Sequence, residues 1–117
     1  MKRILLGYAG AIALMVLAIH TTIAREKLAP NEVTIDNFSF MPQTLTVPVG
    51  TTVTWINHDD IPHTVLSVDK KTLVSPALDT NDKFSYTFTS AGTNDYYCSV
   101  HPHMKGKVIV LPANATK

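Results

Sequence analysis

Beyond Ala29 the chain runs in short stretches where apolar and polar residues alternate. Val33 and Ile35 begin the pattern, Phe38 and Phe40 follow, and Leu45, Val47 and Val49 lead to a turn at Gly50. Val53 and Trp55 alternate within Thr52-Val53-Thr54-Trp55-Ile56-Asn57, and after a loop comes the stretch 63–68. Phe84, Tyr86 and Phe88 alternate with Ser85, Thr87 and Thr89 up to Ala91-Gly92, and 94–98 and 107–111 complete the series. A period of two, rich in Val, Ile, Thr and aromatic residues, predicts strands with one buried face. Seven or eight such stretches punctuated by turn residues predict an all-β fold, a sandwich or barrel. Helical periodicity, internal repeats and low-complexity tracts are missing from this part of the sequence.

The same alternation nominates a core of Trp55, Phe84, Phe88 and Phe40. Each contributes about 1.5–3 kcal/mol on full burial, which a domain this small needs because it hides only about 60–68% of its unfolded surface. Tyr96 and Tyr97 are adjacent, so on a strand they point to opposite faces and only one belongs inside. Residues 70–82, with Ser75-Pro76 and no alternation, read as an irregular connection.

Ahead of this pattern stands a different kind of segment. Met1-Lys2-Arg3 is basic, 4–19 is apolar, and Thr22-Ile23-Ala24 ends in small residues. That order is expected of a signal peptide over residues 1–24, cut after Ala24 and leaving residues 25–117 as one domain. The apolar run is shorter than the roughly 20 residues a spanning helix prefers, so a retained membrane anchor is the weaker reading. Either way the domain is expected outside the cytoplasm, in the periplasm. Ten Lys and Arg against nine Asp and Glu, with no basic run, exclude nucleic acid as a partner and leave the membrane only to a retained N-terminus.

Export changes the meaning of the single cysteine. A lone Cys in an exported chain has no internal disulfide partner and is kept for pairing between chains or for chemistry. Cys98 stands in Tyr97-Cys98-Ser99-Val100-His101-Pro102-His103-Met104, which places a thiol, two imidazoles and a thioether within seven residues. Soft sulfur plus imidazole selects copper, and a Cys with two His and a weak axial Met is the donor set of blue-copper electron-transfer sites. The second imidazole must come from elsewhere, and His63 is the candidate: Pro62 locks the backbone just before it. The predicted metal ligands are therefore His63, Cys98, His101 and Met104. His103 could replace His101, but it adjoins Met104, and two neighbouring residues do not readily approach one ion from separate directions; it is assigned to the surface. His58 and His20 are read as non-ligands. A buried inert Cys, a Cys–His nucleophile and a structural zinc site are the competing readings. They leave the flanking Met unexplained, and no orienting third group for a nucleophile is recognisable.

These residues resemble the cupredoxin family. The likeness runs through Val33-Thr34-Ile35, Gly50-x-x-Val53-Thr54-Trp55-x-Asn57, Pro62-His63 and Phe84-Ser85-Tyr86-x-Phe88. It continues into Gly92-Thr93-x-x-Tyr96-x-Cys98-x-x-His101-Pro102-x-Met104-x-Gly106-x-Val108. Two residues between Cys98 and His101, and two between His101 and Met104, are similar to the short-loop amicyanin branch; plastocyanins and azurins are more distant relatives with longer loops. The resemblance implies an eight-stranded Greek-key sandwich, one type 1 copper per chain, and a monomeric carrier of single electrons in the periplasm. It implies a dehydrogenase donor and a c-type cytochrome acceptor, met through an apolar patch around His101 that includes Met41, Ile61, Pro62 and Pro102. Family members often carry Asn after the first His ligand; here Thr64 stands there, and a bond from Thr64 to the neighbourhood of Ser99 is expected to replace it. His103 stands where the amicyanin branch carries an aromatic residue. Other functions with the same residues are a periplasmic copper carrier or chaperone and an accessory copper domain of a respiratory complex. Catalysis by this chain alone is not expected, because a multicopper enzyme needs further His-rich sites.

Overall fold

Eight strands form where the sequence alternates: β1 (Glu32–Asp36), β2 (Ser39–Met41), β3 (Thr44–Pro48), β4 (Thr52–Asn57), β5 (Leu66–Ser67), β6 (Lys83–Thr87), β7 (Gly92–Tyr97) and β8 (Lys105–Leu111). They belong to a computed structural model that describes residues 31–114; the leader or anchor expected over 1–24 lies outside the described residues. The strands make two four-stranded sheets, ordered β2-β1-β4-β6 and β3-β8-β7-β5. The chain crosses between sheets repeatedly, and β1 pairs with β4, and β3 with β8, in parallel. This is the all-β Greek-key sandwich expected from the sequence.

Alternate side chains fill the space between the sheets. Val33, Ile35, Phe40, Val53 and Trp55 from the first sheet meet Val47, Tyr96, Val108 and Val110 from the second. Trp55 and Tyr96 join the layers edge to face, with ring centres 5.5 Å apart. Phe40 closes on Tyr96 at 4.7 Å, and Phe88 packs on Trp55 at 6.4 Å. Such geometries favour aromatic pairs beyond the area they bury. Tyr96 faces Gly106 across the β7–β8 ladder, and a Cβ on Gly106 would stand 2.3 Å from the phenol ring. Tyr97 turns outward and is half-buried, as adjacent positions on a strand require.

Three expectations change. Phe84 is only half-buried, because β6 is the edge strand of its sheet and its ring packs on Trp55 from the rim. The strand expected over 63–68 shrinks to Leu66–Ser67: its ladder partner β7 ends at Tyr97, and the irregular connection on its other side offers only the isolated bridges His63↔Leu78 and Leu66↔Val74. Phe38 does not share the inward face of Phe40. Asn37 and Phe38 form the β1–β2 turn with φ of 49° and 57°, and Phe38 is 51% exposed.

The connection between β5 and β6 is irregular, as expected, and it is ordered by polar contacts. The Asp69 carboxylate accepts hydrogen bonds from the amides of Lys71 and Thr72 and from the hydroxyls of Ser67 and Thr72. These donors hold its carboxyl well below the usual carboxylate range.

Candidate metal centre

At one end of the sandwich the loop after β4 is fixed by a buried amide. Asn57 Nδ2 donates to the carbonyls of Ile61 (2.9 Å) and Leu78 (2.8 Å), and its Oδ1 accepts the amide of Asp59 (2.9 Å). Both amide protons are thereby used within the protein. Pro62 then leads into His63, whose backbone exchanges hydrogen bonds with Leu78 in both directions, at 3.1 and 2.8 Å. The His63 side chain is delivered into the interior with no exposed surface.

The second loop joins β7 to β8 with little slack. Cys98 follows the last residue of β7 and Met104 precedes the first of β8, and the Cys98 amide donates to the Met104 carbonyl at 3.0 Å. Inside that closure the His101 amide donates to the Cys98 carbonyl (3.1 Å) and the Met104 amide to the His101 carbonyl (2.9 Å). The three-residue spacings read from the sequence are two successive tight turns. Cys98 and Met104 are buried in the core cluster, whereas His101 is partly exposed and His103 is exposed.

Sγ of Cys98 lies 3.7 Å from Nδ1 of His63 and 3.8 Å from Nδ1 of His101. All three donor atoms fall within 4.8 Å of one another, and this is the group of metal-ligating side chains that stands out among the described residues. Bonds from a metal to imidazole and thiolate measure about 2.0–2.3 Å, so separations of this size admit one ion between the donors. Neither His103 nor His58 joins the group; both side chains are exposed.

The surroundings prepare the thiol for a cation. Burial alone would raise the Cys98 thiol, but the Thr64 amide, the imidazoles of His63 and His101 and the Val100 amide bring it down to about 6. Cys98 is therefore mostly thiolate at neutral pH, the form in which cysteine ligates metals. Thr64 also bridges the two loops: its hydroxyl lies 2.7 Å from Ser99 Oγ and accepts the Ser99 amide at 2.8 Å. The link expected from Thr64 in place of Asn is present.

Asp59 and Phe38 carry roles beyond the sequence reading. The Asp59 carboxylate accepts the Asn37 amide (2.6 Å), the Phe38 amide (3.0 Å) and Nε2–H of His63 (2.7 Å). Partial burial would raise its carboxyl, yet the Phe38 and Asn37 amides and His63 hold it below the usual value. The four-residue step from Asp59 to His63 was the available signal, but the loop is not helical and spacing alone does not pair its members. The Phe38 ring lies against both imidazoles, a contact that depends on a turn conformation alternation does not encode.

Comparison with known proteins agrees with this architecture. The description "Cupredoxin-like domain" matches residues 9–110. The amicyanin of Paracoccus denitrificans is 37% identical over 111 residues, covering 89% of this chain and 85% of its own. A solved amicyanin mutant in its Cu(I) form superposes with a TM-score of 0.64 at 40% identity, over 68% of this chain and 80% of that one. The purple cupredoxin of Nitrosopumilus maritimus gives 0.62 at 39% identity, over 68% and 98% respectively. Because sequence and three-dimensional architecture agree across nearly the whole sandwich, the chain belongs to the cupredoxin family.

Proposed function

We propose that this protein is a type 1 copper protein that carries single electrons between larger redox proteins. His63, Cys98 and His101 would hold the ion, with the Met104 thioether as a weak fourth ligand. Bound there, copper supplies a Cu(I)/Cu(II) couple that gains or loses one electron without a covalent bond being made or broken. The chain's part is to keep the donors still. Asn57 fixes the loop before His63, the Thr64–Ser99 pair ties that loop to the one bearing Cys98, and Asp59 orients the imidazole. Donors that do not rearrange suit both oxidation states.

The observation that carries this reading is the convergence of one buried thiolate-prone Sγ with two imidazole Nδ1 atoms. Full burial of Cys98 and His63 supports retention of the ion rather than its exchange, which weighs against a copper carrier or chaperone. The partly exposed His101 is the exit for the electron. Val100 and Pro102 flank it in sequence and are exposed, Pro62 is exposed beside His63, and Phe38 packs on the His101 ring, which suits brief apolar docking of a dehydrogenase or a c-type cytochrome. Exposed charges such as Asp60 and Lys105 would tune encounter rate more than affinity. The proposed setting is the periplasm, after removal of residues 1–24.

Refolding the protein with Cu(II) tests the reading. An intense visible thiolate-to-copper band is expected, absent from Cys98→Ala; a colourless wild type that binds zinc in preference would overturn it. Mass spectrometry of the exported protein checks the cut after Ala24.

A further inference from the structure

We propose that the Asn37-Phe38 turn is a positioning element of the centre, in which Phe38 restrains the partly exposed His101 ring and Asp59 clamps the turn to His63. The identity of the metal rests on the reading above; the packing does not. The Phe38 ring stands edge-on to His63 at 5.5 Å and 89°, and to His101 at 5.1 Å and 85°. The two imidazoles are themselves 5.1 Å apart, so three rings close a triangle.

Neither the core nor the turn accounts for a phenyl ring at this position. Phe38 is half exposed and stands outside the core cluster. Its φ of 57° follows one of 49° at Asn37, and a bulky side chain seldom adopts that left-handed region. A two-residue hairpin turn with both residues at positive φ favours Asn-Gly. Glycine would satisfy the backbone better, so the ring is retained for what it touches. An outlier of this kind persists where surrounding contacts over-determine it. Here Asp59 does so: one oxygen takes the Asn37 amide, and the other takes both the Phe38 amide and the His63 ring. His63 is held by that carboxylate, whereas the ring-nitrogen contact found for His101 among the described residues is the one with Cys98. Phe38 supplies the restraint that a hydrogen bond supplies for His63.

Phe38→Gly, Phe38→Leu and Phe38→Tyr separate this role from that of a simple turn residue. In the metal-free protein the probe is NMR relaxation of the imidazole C–H groups, with contacts from the residue-38 ring. In the copper-loaded protein it is the visible band and the Cu(II) hyperfine splitting. Phe38→Gly is expected to unfold at the same or higher urea concentration. It should nonetheless loosen the His101 ring to the mobility of a surface side chain and shift both copper spectra. Phe38→Leu should loosen the ring in the same direction, and Phe38→Tyr should restore wild-type behaviour. Wild-type His101 relaxation in the Gly and Leu variants would overturn the proposal. Should copper produce no visible band even in the wild type, the copper reading fails and the metal-free relaxation still decides the role of Phe38.

Discussion

Oδ2 of Asp59 lies 2.7 Å from Nε2 of His63, on the opposite side of the ring from the nitrogen that faces Cys98. An ionised carboxylate can only accept, so Nε2 carries a proton, which leaves Nδ1 as the atom that would bind a cation. Such an outer partner fixes ring tautomer and orientation, and its loss typically lowers metal affinity about 10–100-fold. Asp59→Ala is therefore expected to weaken copper binding by that factor in a competition titration. Nitrogen NMR of the metal-free variant should show the His63 proton shared between both ring nitrogens. Unchanged affinity together with an unchanged tautomer would remove Asp59 from the centre.

Thr64 joins the loops that carry His63 and Cys98, its amide reaching Cys98 Sγ and its hydroxyl bonding to Ser99. Thr64→Val keeps the shape and deletes the hydroxyl, at a cost of about 0.5–1.5 kcal/mol for each hydrogen bond lost. The Ser99 amide, which donates to Thr64 Oγ1 at 2.8 Å, should then exchange with solvent faster, whereas amides in β4 keep their protection. Thr64→Asn should retain the tie. Equal Ser99 exchange in Thr64→Val and wild type would show the bridge to be idle.

Gly106 is where the phenol of Tyr96 crosses β8. Gly106→Ala inserts a methyl 2.3 Å from that ring, against side chains already packed between two sheets. The expected cost is about 1–3 kcal/mol of overpacking, read as a lower urea midpoint. Adding Tyr96→Leu should recover part of it, since contacting residues couple non-additively. A Gly106→Ala protein as stable as wild type would mean that the strand shifts freely to make room.

The Cys98 thiol links the stability of the metal-free protein to pH. Its folded value of about 6 lies below the ordinary thiol value of about 8.5, so folding favours the thiolate. That stabilisation is fully present above about 8.5 and is lost as pH falls through 6, with a slope of up to about 1.4 kcal/mol per unit between them. Asp59 and Asp69 are depressed below the ordinary carboxylate value of 3.8, so their effects are already complete in this window. Urea midpoints of the metal-free protein should climb from pH 6 to 8.5, and Cys98→Ala should flatten the climb. A wild type no steeper than that variant would contradict the thiolate assignment.

Much of this architecture was legible in the sequence because its causes are local. Period-two alternation specifies which face of each strand is buried, and this was enough for an all-β sandwich or barrel and for Trp55, Phe40 and Phe88 in its core. The Cys98-x-x-His101-x-x-Met104 spacing lies within one loop, so its turns follow from the residues themselves. Alternation also misled where its premise failed. Phe84 lies on an edge strand, and 63–68 is an edge segment whose ladder with β7 covers only Leu66 and Ser67. Only the tertiary structure brought Asp59 beside the backbone of Asn37 and Phe38, across 22 and 21 residues, and set Phe38 between two imidazoles from different loops. Those contacts depend on how the crossing connections stack at one end of the sandwich. A hydrophobic pattern records whether a residue is buried, and it carries no information about which distant carboxylate or ring it will meet.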